Sequence, residues 1–291
     1  MTHVHLLLDA RAALGEGPRW HAGERLLYWV DIHRNELHRL DPETGADSVR
    51  TFAAPVGCFA FRQGGGLILA MADGFATLSD WDAEPQPFGA QILAGLPHQR
   101  FNDGCTDPAG RFWVGSVDTG KQHNDAALYR LDTDGTITLI EGGMLTCNGA
   151  AFTADGRRFF HADTPTHAVR AYDCDPATGT LSHRNILHQF PFGHGRPDGG
   201  AIDAEGCYWS ALFDGGRVVR MSPDGEILQE VAMPTRRLTM ISLGGDDLRT
   251  AFVTTARAGL SDEELEKEPL AGGIFTFRVD VPGVPAWPFA G

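Results

Sequence analysis

The chain lacks most of the short signatures from which chemistry is read directly. Its five cysteines, Cys58, Cys105, Cys147, Cys174 and Cys207, are odd in number and never stand as Cys-x-x-Cys. That excludes a complete disulfide framework and a thiolate metal site, leaving buried free thiols as the expectation. Positive charge is scarce: 24 Lys and Arg against 38 Asp and Glu give a formal net charge of −14, with no basic tract. Nucleic acid and anionic membrane surfaces both reward basic patches, so neither is expected as a partner. No apolar run approaches the length that crosses a bilayer, and Leu6–Leu8 is ended at once by Asp9 with no cationic segment before it. A cytoplasmic protein, monomeric or weakly oligomeric, is therefore expected. A Gly-x-Ser-x-Gly elbow, a His-Glu-x-x-His pair, a P-loop and a dinucleotide fingerprint are also missing.

What the chain has is turns. Thirty-six Gly and seventeen Pro are spread along 291 residues without low-complexity runs, in a composition that is 42% hydrophobic and 21% charged. Between them one pattern returns: a Gly-containing turn, an apolar strand, an alternating strand, then an Asp- or Ser-rich turn. Leu26–Asp31 with Glu36–Leu40 is one copy, Arg111–Gly115 with Ala127–Leu131 another, and Tyr208–Ala211 with Arg217–Met221 a third. Taking Gly17, Cys58, Gly104, Gly149, Gly200 and Met240 as markers, the steps are 41, 46, 45, 51 and 40 residues. Each step holds about four short strands, the size of a propeller blade. The sequence predicts an all-β fold in which residues 1–291 form a single six-bladed β-propeller. Too little patterned chain follows Val279 for a fourth strand in the last blade, while His3–Leu8 has no partner of its own. The N-terminal strand is expected to close that blade and remove both edges. Trp29, Trp113 and Trp209 recur at one position of the second strand and read as packing between blades. Ser261 and Glu264 form a capping box for a short helix inside the last blade.

Residues just ahead of each first strand should sit at one mouth of the central channel. Read at that phase, the chain offers Glu16, Asn102-Asp103, Asn148 and Asp198. Each alone is a turn residue; Arg196-Pro197-Asp198-Gly199-Gly200 in particular reads as a tight turn with glycine at positive φ. Their shared phase is what the turn reading leaves unexplained. Glu16, Asn148 and Asp198 supply only oxygen donors, which suits a hard divalent ion such as Ca2+ or Mg2+ while leaving Mn2+, Fe2+ and Zn2+ open. Arg100 and Asn102 could hold the hydroxyls or carbonyl of a polar small molecule, unless Arg100 simply pairs with Asp103. Asp118, at the end of the adjacent strand, is a further candidate. Among the histidines, His161 and His194 are expected nearest the mouth.

Leu14-Gly15-Glu16-Gly17-Pro18, Arg100-Phe101-Asn102-Asp103-Gly104, Asn148-Gly149 and Pro197-Asp198-Gly199, in this order, resemble the signatures of the gluconolactonase, regucalcin (senescence marker protein) and luciferin-regenerating enzyme family. The resemblance runs from about Leu14 to Val279 and is strongest toward bacterial sugar-acid lactonases. It implies an axial divalent cation, Ca2+ foremost with Zn2+, Fe2+, Mn2+ or Mg2+ as alternatives, on Glu16, Asn148 and Asp198. It also implies substrate contacts from Arg100 and Asn102. Where some relatives carry an acidic substrate contact, this chain has Thr119 with Asp118 beside it. The expected function is metal-dependent opening of a sugar-acid lactone, with Asp198 as general base. The alternatives are a non-catalytic cation- or metabolite-binding propeller, and an esterase or phosphotriesterase built on the same ion.

Overall fold

In the computed structural model, which describes residues 2–291, six four-stranded antiparallel sheets surround one axis. Blade 1 holds Gly15–His21, Leu26–Asp31, Glu36–Leu40 and Asp47–Thr51. Blade 2 follows with Val56–Phe61, Leu67–Met71, Phe75–Leu78 and Gln86–Phe88. Blade 3 is built from Gln99–Thr106, Phe112–Asp118, Ala126–Leu131 and Ile137–Met144. Blade 4 consists of Cys147–Phe152, Arg158–Asp163, Ala168–Asp175 and Thr180–Gln189. Blade 5 comprises Arg196–Ile202, Tyr208–Phe213, Arg217–Met221 and Ile227–Ala232. Blade 6 takes Leu238–Gly244, Thr250–Thr255 and Ile274–Arg278 from its own period.

Its fourth strand is His5–Leu8, which pairs with Ile274–Arg278 through Leu6 opposite Phe275 and Leu8 opposite Ile274. The expected latch is therefore present. The six first strands pack side by side in a closed ring around the axis. Each sheet buries both faces, because the core is six separate apolar clusters, each bridging two adjacent blades. One of them joins Trp29 and Leu40 of blade 1 to Phe252 and Ile274 of blade 6, so ring closure is itself a packed interface. Trp29, Trp113 and Trp209 are all fully buried in these clusters, as their position predicted. The short helix Asp262–Lys267 begins with the expected capping box on Ser261 and Glu264, and the cysteines are free.

The chain after Val279 is more than a remnant. It crosses the end of the channel reached by the C-terminal ends of the first strands. Val284 N–H donates to Ile202 O (3.1 Å), Phe289 N–H to Phe61 O (2.7 Å) and Ala290 N–H to Gly110 O (3.0 Å). Together with Arg19, Cys105, Ile202 and Met240, its Trp287 lines a cavity of about 410 Å³ at that end. The opposite end carries the candidate site.

Candidate functional site

The segment expected to be a turn, Arg196–Gly200, is the start of a strand. The same holds for the other candidates: Glu16, Asn102, Asn148 and Asp198 each lie two to four residues inside a first strand. At each of them the pairing register slips, just after Glu16 and Asn148, whose slips end at Arg19 and Ala151, and across Asn102 and Asp198, which lie inside the slips between Phe101 and Gly104 and between Pro197 and Gly200. Such an irregularity re-aims a side chain, and here it turns four strand residues toward the axis. The glycines that follow are needed partly for room. A Cβ on Gly149 or Gly200 would come 2.2 Å from the Tyr208 hydroxyl, which donates to Gly149 O at 2.8 Å. Of the two, only Gly149 has positive φ, so the turn explanation fails at Gly199 and Gly200.

Glu16, Asn148 and Asp198 are buried at the axial mouth. Asn148 Nδ2 donates to Thr164 Oγ1 (2.8 Å), and Thr164 donates to Pro197 O (2.8 Å). That fixes the amide so that Asn148 Oδ1 faces Asn102, whose Nδ2 donates to it at 2.7 Å. Asn102 also donates to Cys147 O (3.0 Å) and accepts from Arg100 Nη1 at 2.8 Å. This relay fences in Asp198, whose Oδ1 is buried without a hydrogen-bond partner.

The electrostatics agree. Burial first, then Asp198 and Asp103, push the Glu16 carboxyl well above the usual range. Burial and then Asp103 raise Asp198 likewise, although Lys121, Arg196 and the Asn148 amide pull the other way. Buried charge without a partner is costly, so two raised carboxylates and an orphaned oxygen have the chemistry of a site that fits a divalent cation. Asp103 lies beneath. Its carboxylate accepts from Gly104 N–H (2.7 Å) and Ala150 N–H (3.3 Å) and is held against Arg19, which donates to Gly104 O. Arg100 therefore does not pair with Asp103; it bonds Asn102 Oδ1 and Phe101 O instead.

Asp118 departs from its expected role. Its side chain is fully shielded, with Oδ1 accepting from Gly120 N–H (3.0 Å) and Oδ2 from Gln122 and His123 N–H (2.5 and 2.6 Å). Those amides, the His123 one foremost, hold the carboxyl down at about 2. Both Asp118 oxygens are thus taken up by amides of the loop 119–125, which the carboxylate braces. The residue that does reach the mouth from this loop is Lys121, at positive φ, which donates to Thr146 Oγ1. Burial and the Arg100 charge pull its ammonium down to about 8. Sequence reasoning missed Lys121 because a loop has no phase. His161 is buried in blade 4 against Phe159, where burial takes it to about 3, and His194 is exposed. His33, lowered by burial and then by the Arg100 charge, lies on the Arg100 side of the mouth.

Six blades around an axis, with two carboxylates and an amide from three of them meeting at one mouth, define a β-propeller with an axial polar centre. The chain belongs to the SMP-30/Gluconolactonase/LRE-like family, whose description matches residues 14–257. It is 44% identical over 284 residues to a 6-deoxy-6-sulfogluconolactonase of Pseudomonas putida, covering 96% of each chain. To a pentonolactonase of Haloferax volcanii it is 37% identical over 289 residues, covering 97% of this chain and 96% of that one. Among solved structures, a regucalcin from Agrobacterium tumefaciens superposes with a TM-score of 0.95 at 24% identity, over 100% of this chain and 98% of that chain, and so shares the fold.

Proposed function

We propose that this protein hydrolyses a sugar lactone to the open-chain acid, using a divalent cation held by Glu16, Asn148 and Asp198. The observation that carries the reading is Asp198: a buried carboxylate with an unpartnered Oδ1, beside a second buried carboxylate, at the mouth of a propeller. All three donors are oxygens, which favours Ca2+ among the biological divalent ions. When bound, such an ion would draw electron density from the lactone carbonyl and stabilise charge that develops on its oxygen.

The protein's own groups supply the rest. Asp198 takes a proton from the water that attacks the carbonyl carbon; the bond from that carbon to the ring oxygen then breaks, and Asp198 returns the proton to the ring oxygen, which leaves as a hydroxyl. Arg100 and Lys121, cations bonded to neutral partners, face the polar side of the substrate and the new carboxylate. Asn102 keeps one Oδ1 lone pair for a substrate hydroxyl while holding Arg100 and Asn148 in place. The sugar-lactonase names of the relatives from P. putida and H. volcanii support the substrate class.

Hydrolysis of a panel of aldonolactones, a phosphotriester and an aryl ester tests this. Chelation should abolish turnover of an aldonolactone and Ca2+ should restore it. Asp198→Asn should lower kcat by at least about 10²-fold with an unchanged circular dichroism spectrum. Full activity in excess chelator, or preference for the phosphotriester, would overturn the reading.

A further inference from the structure

A second set of ligating atoms lies outside the axial centre. His98 immediately precedes the first strand of blade 3, and His123 and Asp125 close the loop 119–125 between its second and third strands. One ligand atom from each of the three lies within 4.8 Å of the others. His98 Nε2 is 2.8 Å from Asp125 Oδ2, and the two imidazole rings stand 4.1 Å apart at 42°. His98 is half-buried, His123 and Asp125 are exposed, so an ion has a path in.

Three features make this more than an ion pair with a neighbour. First, the spacing suits a small ion. Ligands about 2.0–2.1 Å from a tetrahedral zinc stand roughly 3.3 Å from one another, and here His98 Nε2 and Asp125 Oδ2 are 2.8 Å apart with all three ligand atoms inside 4.8 Å. Second, the backbone is already set. His98 O accepts from Thr119 N–H and Oγ1 (2.8 and 2.9 Å), and Gln99 Nε2 donates to Asp125 O (3.2 Å). The Asp118 carboxylate fixes the amides of Gly120, Gln122 and His123. Third, Asp118 Oδ2 lies 3.4 Å from His123 Nδ1, which leaves Nε2 for an ion. A carboxylate behind a ligating imidazole is the usual outer partner of a metal-binding histidine.

We propose that His98, His123 and Asp125 form a second metal site, selective for a borderline transition ion of the Zn2+ class, that pins the loop 119–125 carrying Lys121. Two imidazole nitrogens and one carboxylate oxygen are a poor set for Ca2+ and a good one for Zn2+, Ni2+ or Cu2+. The two sites thus sort ions by donor type: all-oxygen on the axis, nitrogen-rich at the loop. Because the loop also places Lys121 against Thr146, occupancy would limit the freedom of a cation at the axial mouth.

The test is Zn2+ titration of the full chain by calorimetry, with Ca2+ in excess to occupy the axis. Wild type should take up one zinc per chain, and Zn2+ should slow hydrogen exchange across residues 119–125. His98→Ala, at a half-buried ring, and His123→Ala, at an exposed one, should each leave the melting temperature within a few degrees of wild type and bind that zinc about 100-fold more weakly, at or beyond the range for losing an outer partner. The pair Glu16→Gln and Asp198→Asn, which disables the axis, should retain it. Uptake unchanged in the histidine variants, no uptake in wild type, or uptake lost with the axial pair would each overturn the proposal.

Discussion

Asp198 and Glu16 hold their raised pKa values for one reason, the burial of like charge, and this has a consequence for stability. A carboxylate whose folded-state pKa lies above its unfolded value makes the folded state bind more protons. Its contribution is fully present below the ordinary carboxylate range, about pH 4, and is lost as pH rises through the raised values. The metal-free protein should therefore lose melting temperature as pH climbs from about 4 toward neutrality, and Ca2+ should flatten that slope. Asp118 and Glu264, both held at about 2, act with the opposite sign and only at acid pH. Comparing wild type with Asp198→Asn isolates the axial pair; identical metal-free profiles would contradict the assignment. That Glu16, Asn148 and Asp198 share one mouth was legible in the sequence because three blades repeat one phase and each contributes an oxygen-bearing side chain there. The direction of the Asp118 carboxylate and the reach of Lys121 were not legible for a common reason: both depend on the loop 119–125, where spacing carries no direction, and only the amides around Asp118 show which way its carboxylate turns.

At the scale of the strand, two devices recur. One is the register slip at each axial residue, invisible in sequence because glycine and proline beside an acid read equally well as a turn. The other is an aspartate at the hairpin end of a first strand. Asp107 accepts from Ala109 and Arg111 N–H (3.0 Å each), Arg111 Nε (2.6 Å) and Trp113 Nε1 (2.8 Å). Asp203 repeats this with Glu205 and Cys207 N–H, Arg220 Nε and Trp209 Nε1. The Asp-x-x-Gly pattern of these hairpins was plain; that the carboxylate also ties a buried Trp and an Arg of its own blade was not. Asp107→Ala would orphan a buried guanidinium contact and an indole N–H at once. It should cost about 3–5 kcal/mol, the range for breaking a buried ion pair from one side. Chemical denaturation would measure this, while Ca2+ stoichiometry at the distant axial mouth should stay at one per chain.

For the whole molecule the question is what keeps the ring shut. The N-terminal latch was legible because a missing strand and a spare strand stood at opposite ends of one chain. The tail was not, since it makes only isolated bridges, Phe289 with Arg62 and Gly283 with Asp203, and so carries no strand period. Yet Phe289 is fully buried, in the same cluster as Phe112 and as Phe101, the neighbour of Asn102 in the axial relay. The tail thus ties blades 2, 3 and 5 across the end of the channel away from the site, and the two ends of the axis can be perturbed separately. Phe289→Ala removes a buried aromatic side chain, for which about 3–5 kcal/mol is the usual loss, and should loosen the tail whose Trp287 lines the 410 Å³ cavity. The expected result is a lower melting temperature and new binding of a hydrophobic dye, with Ca2+ affinity within a few-fold of wild type. If instead ion affinity falls in step with stability, the axial centre depends on the tail through Phe101 and Asn102, and the two mouths are one cooperative unit.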